Sequence, residues 1–264
     1  MWSNIAALVR YRGLIRSLVA RELKARYRGS MLGFFWSFIN PLLLLSIYTF
    51  VFTYILPNRE PRAQPYALFM FCGLLPWTWF SSSLNEAAGA LIGGSNLIKK
   101  VLFPAEILPI VSVLANMVHF FFGLPILAAF FIGLRHVPDW GELVWLPVVI
   151  AVQLIFTVAL ALLLSALTVH FRDIRDLLSN LLTFWFFATP IIYPYFMEGV
   201  EQFSWLFNLN PFFHIVASYQ ELLFFPGPFG HLKWLLALGG ASVLLLLACY
   251  WVFDRLRDSF AEAV

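Results

Sequence analysis

The chain has 264 residues, of which 61% are hydrophobic and only 12% are charged, and its mean hydropathy is +0.84. A soluble domain needs roughly 25% charged residues to cover its surface, so this composition excludes a water-soluble globular protein and indicates that lipid surrounds the fold. The formal net charge of +3 is too small to indicate nucleic-acid binding. The sequence therefore predicts an all-α membrane protein with a single membrane domain over residues 1–264.

Residues 1–28 form a basic, partly amphipathic segment, in which Ile5, Ile15 and Val19 share one face of a helical wheel. Arg21 and Lys24 point away from that face. We predict a cytoplasmic helix that lies in the membrane interface. The alternative is a positively charged flank that only fixes the orientation of the first span.

Long apolar runs follow this segment, and the first of them has no ionisable side chain from Gly29 to Asn58. An uncharged run of more than about 20 residues is typical of a helix that crosses a bilayer. The same pattern recurs along the chain. It predicts six transmembrane helices, at approximately 31–56, 66–84, 106–134, 143–169, 177–195 and 232–253.

The segment 203–225, between the fifth and sixth predicted spans, is rich in aromatic residues but broken by Asn208, Asn210 and Pro211. It is too interrupted for a full span and too apolar for a solvated loop, which predicts a re-entrant helical pair joined at the break. Non-helical backbone at that depth requires protein or a water-filled cavity beside it. An acid there, Glu221, is expected to face a cavity or a partner. These four residues are the candidate gate residues.

The distribution of positive charge fixes the predicted orientation. With a cytoplasmic N-terminus, all but four of the 17 Lys and Arg residues lie inside, the exceptions being Arg59, Arg62, Arg135 and Lys233. Cytoplasmic loops carry an excess of positive charge. Both termini are therefore predicted to be cytoplasmic.

Nucleotide-binding and metal-binding motifs are not found. The cluster Gly93-Gly94-Ser95 is not followed by the Lys-Ser/Thr pair of a P-loop, and no His/Cys spacing fits a metal site. We expect this chain not to be an enzyme and to hold no cofactor of its own. If energy drives its action, another polypeptide supplies it.

The loop between the second and third predicted spans reads GGSNLIKKVLFPAEILP. A Ser or Asn cap before this run and the proline after it predict a short helix. Its apolar side suits docking into a cleft of a partner, while the alternative is a basic anchor on the cytoplasmic side. The candidate residues for this partner contact are Ser95, Asn96, Leu97, Ile98, Lys99, Lys100, Val101 and Leu102.

Aromatic stripes run along the first and fifth predicted spans. Sugars present apolar C–H faces that stack on aromatic rings, and tyrosine hydroxyls exchange hydrogen bonds with sugar hydroxyls. Such a stripe without fixed charge would line a path for a glycan, whereas the alternative is helix packing or an interface belt. The candidate channel residues are Phe34, Phe38, Tyr48, Phe52, Phe184, Phe187 and Tyr195.

Four motifs occur in a fixed order: RYRGSMLGFFWSFINPLLL, NLIKKVLFPAEILP, HFRDIRDLL followed by TPIIYP, and LNPF. In this combination, over nearly the whole length, the chain resembles the permease subunits of polysaccharide-export ABC transporters of the type-2 exporter class. That class includes O-antigen, capsule and teichoic acid exporters, and the resemblance is strongest to the O-antigen group.

The resemblance implies a homodimer in the bacterial inner membrane, bound to membrane lipids and to two copies of a cytoplasmic ABC ATPase, with a lipid-linked polysaccharide as substrate. ATP and Mg would be bound by the partner ATPase, and the residues from Ser95 to Leu102 would couple to it. The resemblance further implies that Ser95–Leu102 is the coupling helix and Phe203–Phe225 the extracellular gate helices. The main alternative is a type-2 exporter of a small molecule such as a drug or haem. An intramembrane enzyme would need a cluster of acids or histidines at one membrane face, and a structural scaffold would make no use of the coupling loop.

Overall fold

The computed structural model describes residues 11–55, 60–100, 104–136 and 138–263. Within these ranges all regular secondary structure is helical, which confirms the predicted all-α class. The α-helices are α1 Arg12–Arg26, α2 Trp36–Phe50, α3 Tyr66–Gly93, α4 Ser95–Lys100, α5 Ile107–Gly133, α6 Leu146–His170, α7 Ile174–Ala188, α8 Ser204–Leu209, α9 Pro211–Leu223 and α10 Leu232–Ala263.

Four of the described helices are long and apolar enough to cross a membrane, namely Tyr66–Gly93, Ile107–Gly133, Glu142–His170 and Leu232–Phe260. They coincide with the second, third, fourth and sixth predicted spans. The second and sixth helices run well past the predicted ends at Leu84 and Phe253, because neither boundary carries a helix-breaking residue.

The first and fifth predicted spans are shorter as α-helices, since α2 and α7 have 15 residues each. At 1.5 Å per residue such a helix is about 22 Å long, less than the hydrocarbon core. Helix α2 is continued by a 3₁₀ turn at Gly33–Phe35 and a π-helical turn at Val51–Ile55. Helix α7 ends at Ala188 instead of Tyr195, because Pro190 follows directly and removes a helical N–H.

Helix α3 lies at the centre of the fold and packs against α2, α5, α6, α7 and α9. Its contact with α5 depends on Gly123, where an added Cβ would overlap the side chain of Leu75. Its contact with α9 depends on Gly73, where an added Cβ would lie 3.0 Å from Val216 Cγ1. Small residues of this kind let membrane helices approach closely.

Buried polar side chains fix the central helices by bonding to backbone carbonyls. The amide of Gln153 in α6 donates to the carbonyl of Pro76 in α3 at 2.9 Å, and the indole of Trp79 donates to the carbonyl of Val113 in α5 at 3.2 Å. Because lipid offers no hydrogen bonds, such internal contacts are needed at this depth. The frame of α3, α5 and α6 therefore combines close packing with polar contacts.

Helix α1 packs against the start of α5, where Leu18, Ile107 and Val111 form a small buried cluster. The helix runs through Gly13, and residues 1–10 of the predicted interface helix lie outside the described residues. Its last turn carries Arg26, which contacts α3 and α5. The described part of the basic N-terminal segment is thus attached to the membrane domain.

Candidate functional site

The segment after α7 folds into the two predicted short helices, α8 and α9, which meet at Asn210. The side-chain oxygen of Asn210 accepts from Phe212 N at 3.1 Å, which caps α9, and from Trp185 Nε1 at 2.8 Å. Its amide donates to Thr189 Oγ1 at 2.9 Å. One side chain therefore joins α7, the turn that follows it, and the start of α9.

The other predicted gate residues take different places around this junction. Pro211 is the first residue of α9, a position that needs no N–H donor. The side chain of Asn208 is exposed, and only its carbonyl contributes, by accepting from His214 Nε2 at 3.0 Å. Glu221 lies three turns along α9, at the end that faces α10.

Glu221 belongs to a row of three titratable side chains. Its Oε1 lies 3.2 Å from His231 Nδ1, and its Oε2 accepts from the backbone N of His231 at 2.9 Å. His231 Nε2 lies 3.1 Å from His214 Nδ1. Burial lowers the pKa of His214, opposed by its hydrogen bond to the Asn208 carbonyl and assisted by His231. Sequence analysis identified Glu221 but missed both histidines.

The aromatic stripe predicted on the first span packs inward. Phe38 contacts Phe122 with ring centroids 5.1 Å apart, and Phe52 contacts Tyr66 at 4.9 Å. Tyr48 packs with Phe52 against the buried core. The side chain of Phe34 lies outside the described residues. For this stripe, the structure fits helix packing, which was the alternative interpretation.

The fifth-span candidates divide into two groups. Phe184 and Phe187 are exposed, with 73% and 57% of their surface accessible, whereas Tyr195 is half-buried against Phe213. The open face of α7 also carries hydroxyl and amide groups, at Ser179, Asn180 and Thr183. The Thr183 hydroxyl donates to the Ser179 carbonyl at 3.0 Å, so the amide of Asn180 is the group on this face that suits lipid least, because lipid offers it no partner.

The exposed side of α10 gives the contrast within the same chain. Between Leu236 and Ala248 its exposed side chains are all apolar, among them Val243 and Leu244. This is the pattern that a lipid-facing helix requires. We therefore infer that the open face of α10 contacts lipid, whereas the open face of α7 contacts a more polar environment.

The predicted coupling helix is observed as α4, but its apolar side does not face outward. Leu97 and Ile98 pack against a buried cluster that includes Leu108 and Phe253, while Asn96 and Lys99 are exposed. Ser95 begins the helix; the side chain of Lys100, and Val101 and Leu102, lie outside the described residues. The surface available to a partner is thus the polar side of α4.

A cavity of about 960 Å³ lies between α4 and the elements around it. Its walls include Arg21 and Glu22 of α1, Asn96 of α4, and Arg175 and Asp176 at the start of α7. The cavity shows that α4, α1 and the start of α7 border one space. Helix α4 itself packs against α3 and α10.

A polar network between α1, α3 and α5 was not identified by sequence analysis. The guanidinium of Arg26 donates to Glu86 at 2.7 Å and to Asn116 at 3.1 Å, and Asn116 donates to Glu86 at 2.6 Å. The network borders a cavity of about 700 Å³ whose walls include Trp36 and Trp79. It attaches the N-terminal helix to the central frame.

Comparison with known proteins defines the class. The family model described as ABC-2 type transporter matches residues 13–224, and this chain belongs to that family of membrane permeases. The four-motif resemblance is thereby confirmed.

Three relatives give finer information. The chain is 42% identical over 261 residues to an O-antigen export system permease protein RfbA of Myxococcus xanthus, with 98% of each chain covered. It is 31% identical over 249 residues to a protein of the same name from Klebsiella pneumoniae, with 94% of each covered. It is 25% identical to the polysialic acid transport protein KpsM of Escherichia coli, over 78% of this chain and 80% of that one.

Proposed function

We propose that this chain is the permease of an ATP-driven exporter that moves a lipid-linked polysaccharide, of the O-antigen type, from the cytoplasm across the bacterial inner membrane. The observation that carries the proposal is the similarity, over nearly the full length of both chains, to a protein named as an O-antigen export permease. The open face of α7, with Phe184 and Phe187 beside hydroxyl and amide groups, supports a glycan path.

The proposed working unit is a homodimer with two copies of a cytoplasmic ATPase. In each copy, six spans cross the membrane: the helical run Gly33–Ile55 and α7 join the four long helices, and both termini are cytoplasmic. Helices α8 and α9 form the re-entrant gate. The faces of α2 and α7 that are open in one copy are available to the second copy and to the substrate.

Export is tested by deleting the gene and fractionating lipid-linked glycan between the two sides of the inner membrane. We expect glycan to accumulate on the cytoplasmic side and to return to the outer side when the chain is restored. The double variant Phe184→Ala/Phe187→Ala should restore export poorly, whereas Val243→Ala/Leu244→Ala on α10 should restore it fully. Normal glycan distribution after deletion would refute the proposal and favour a small-molecule substrate.

Coupling to the ATPase is tested on the exposed side of α4. We expect Lys99→Glu, combined with Asn96→Glu, to reduce co-purification of the ATPase at least severalfold without loss of membrane insertion, because the added carboxylates change the surface that the partner contacts. Lys233→Glu, an exposed charge reversal at the start of α10, is the matched control. An unchanged yield of the complex in the α4 variant would contradict the coupling assignment.

A further inference from the structure

The side chains of His214, His231 and Glu221 form a row that joins α9 to the segment just before α10. It contains three contacts in series: the Asn208 carbonyl with His214 Nε2 at 3.0 Å, His214 Nδ1 with His231 Nε2 at 3.1 Å, and His231 Nδ1 with Glu221 Oε1 at 3.2 Å. Each contact is a hydrogen bond only if one proton lies between its two atoms. The side chains lie in sequence rather than around a common point, an arrangement that suits protons and not a metal ion.

The ends of the row decide how many protons it needs. The carbonyl at one end can only accept, and an ionised carboxylate at the other end can only accept. Two neutral imidazoles supply two N–H groups for three contacts. The third proton must therefore be carried by the pair of Glu221 and His231, either as imidazolium with carboxylate or as neutral imidazole with carboxylic acid.

Other proton counts break the row. With two protons, one contact places a lone pair against a lone pair at about 3 Å, which is repulsive. With four protons, both imidazoles are charged and two N–H groups face each other between His214 and His231. Only three protons satisfy every contact, and the three side chains together then carry no net charge.

We propose that this row is a protonation-dependent latch, which holds α9 against the start of α10 only while His214, His231 and Glu221 together carry three protons. The latch rests on the proposed function of α8 and α9 as a gate, and it adds control of that gate by protons. Two further contacts support the latch. Glu221 also accepts from the backbone N of His231, and the ring of His214 stacks on Trp234 with ring centroids 4.9 Å apart.

The surroundings of the latch contain few other charges among the described residues. Tyr195 interacts electrostatically with both Arg62 and Glu221. Arg62 also forms an ion pair with Glu60. His136 contacts the carbonyl of Phe224, just after α9, and Lys233 is exposed two residues beyond His231. The lowered pKa of His214 favours its neutral form, so the fourth proton enters only at acidic pH.

The direction of the pH response follows from the proton count. As pH rises, the third proton leaves the row and one of its three contacts is lost. As pH falls through the lowered pKa of His214, the fourth proton enters and separates the two imidazoles. The latch is therefore engaged in an intermediate pH range and is released above and below that range.

Glu221→Gln tests the latch because an amide can replace the third proton. Its oxygen can accept from the backbone N of His231 while its NH₂ donates to His231 Nδ1, which leaves His231 Nε2–H to donate to His214 and His214 Nε2–H to donate to Asn208. All contacts are then made without an ionised group. The variant should remain latched at alkaline pH, unlike the wild-type chain.

The measurement is amide hydrogen exchange of residues 204–231, followed by mass spectrometry of the full chain in lipid nanodiscs. Taking the ratio of wild type to Glu221→Gln at each pH cancels the intrinsic pH dependence of exchange. We expect this ratio to rise at least threefold between pH 6 and pH 8.5. Glu221→Ala should exchange rapidly at every pH, and the exposed Glu198→Gln should behave as wild type.

A ratio that does not change with pH, or a Glu221→Gln variant that exchanges as fast as Glu221→Ala, would overturn the latch. The assay reads gate mobility and needs neither ATPase nor glycan. A failure of the latch is therefore distinguishable from a failure of the proposed export function, which is read by glycan fractionation.

Discussion

Asn210→Ala removes the side chain that joins α7, its following turn and α9. The variant loses the N-cap of α9, worth about 1 kcal/mol. It also loses the acceptor for the Trp185 indole and the donation to Thr189, at roughly 1 kcal/mol each. The simple sum of these losses is about 3 kcal/mol, which is an upper value because contacts at one junction are not additive.

The assay is thermal unfolding of the purified chain in nanodiscs, followed by tryptophan fluorescence. For a chain of this length, about 3 kcal/mol corresponds to a fall in Tm of roughly 6–12 °C. Asn208→Ala, two residues earlier, is the matched control because that side chain is exposed, and it should change stability by no more than about 0.5 kcal/mol. Equal Tm values for the two variants would refute the assignment of Asn210 as the junction.

Two further predictions use the same melting assay. Gly123→Ala should lower the stability by about 1–3 kcal/mol, because the added Cβ overlaps Leu75. The control Gly240→Ala, where the added Cβ has nothing within 4 Å, should be neutral or slightly stabilising. Similar Tm values for the two variants would contradict the close packing of α3 on α5 at Gly123. Arg257→Leu should destabilise the chain because the carboxylate of Glu106, 3% exposed and 3.8 Å from Arg257, loses its cation. Adding Glu106→Gln should recover part of that loss, and no recovery would show that charge burial is not the cause.

Most of the fold could be predicted because its signals are local. Long uncharged runs indicate spanning helices wherever they occur, and the four long helices follow from them. The break between α8 and α9 was equally readable, because Asn210 followed by Pro211 combines a capping residue with a residue that starts helices. The end of α7 at Ala188 was missed, although Pro190 gave the signal.

The contacts of the candidate site could not be predicted in the same way. Periodicity shows which residues share a face of a helix, but it does not show which face packs on the protein's own core. For this reason the sequence could not show that Phe38 and Phe52 contact neighbouring aromatic rings, or that Leu97 packs on a buried cluster. The partners of Glu221 and Arg26 lie on other elements, and only the folded chain brings them together.

The burial of α3 has a consequence for how the protein is made. Of the four long helices, α3 is the least apolar and the most enclosed, with 83% of an 18-residue stretch of it buried. It leaves the ribosome before α5 and α6, the helices that will cover it, have been synthesised. Because α5 and α6 provide much of that cover, we expect truncation of the chain after Gly94 to leave α3 without its buried contacts and to impair assembly in the membrane.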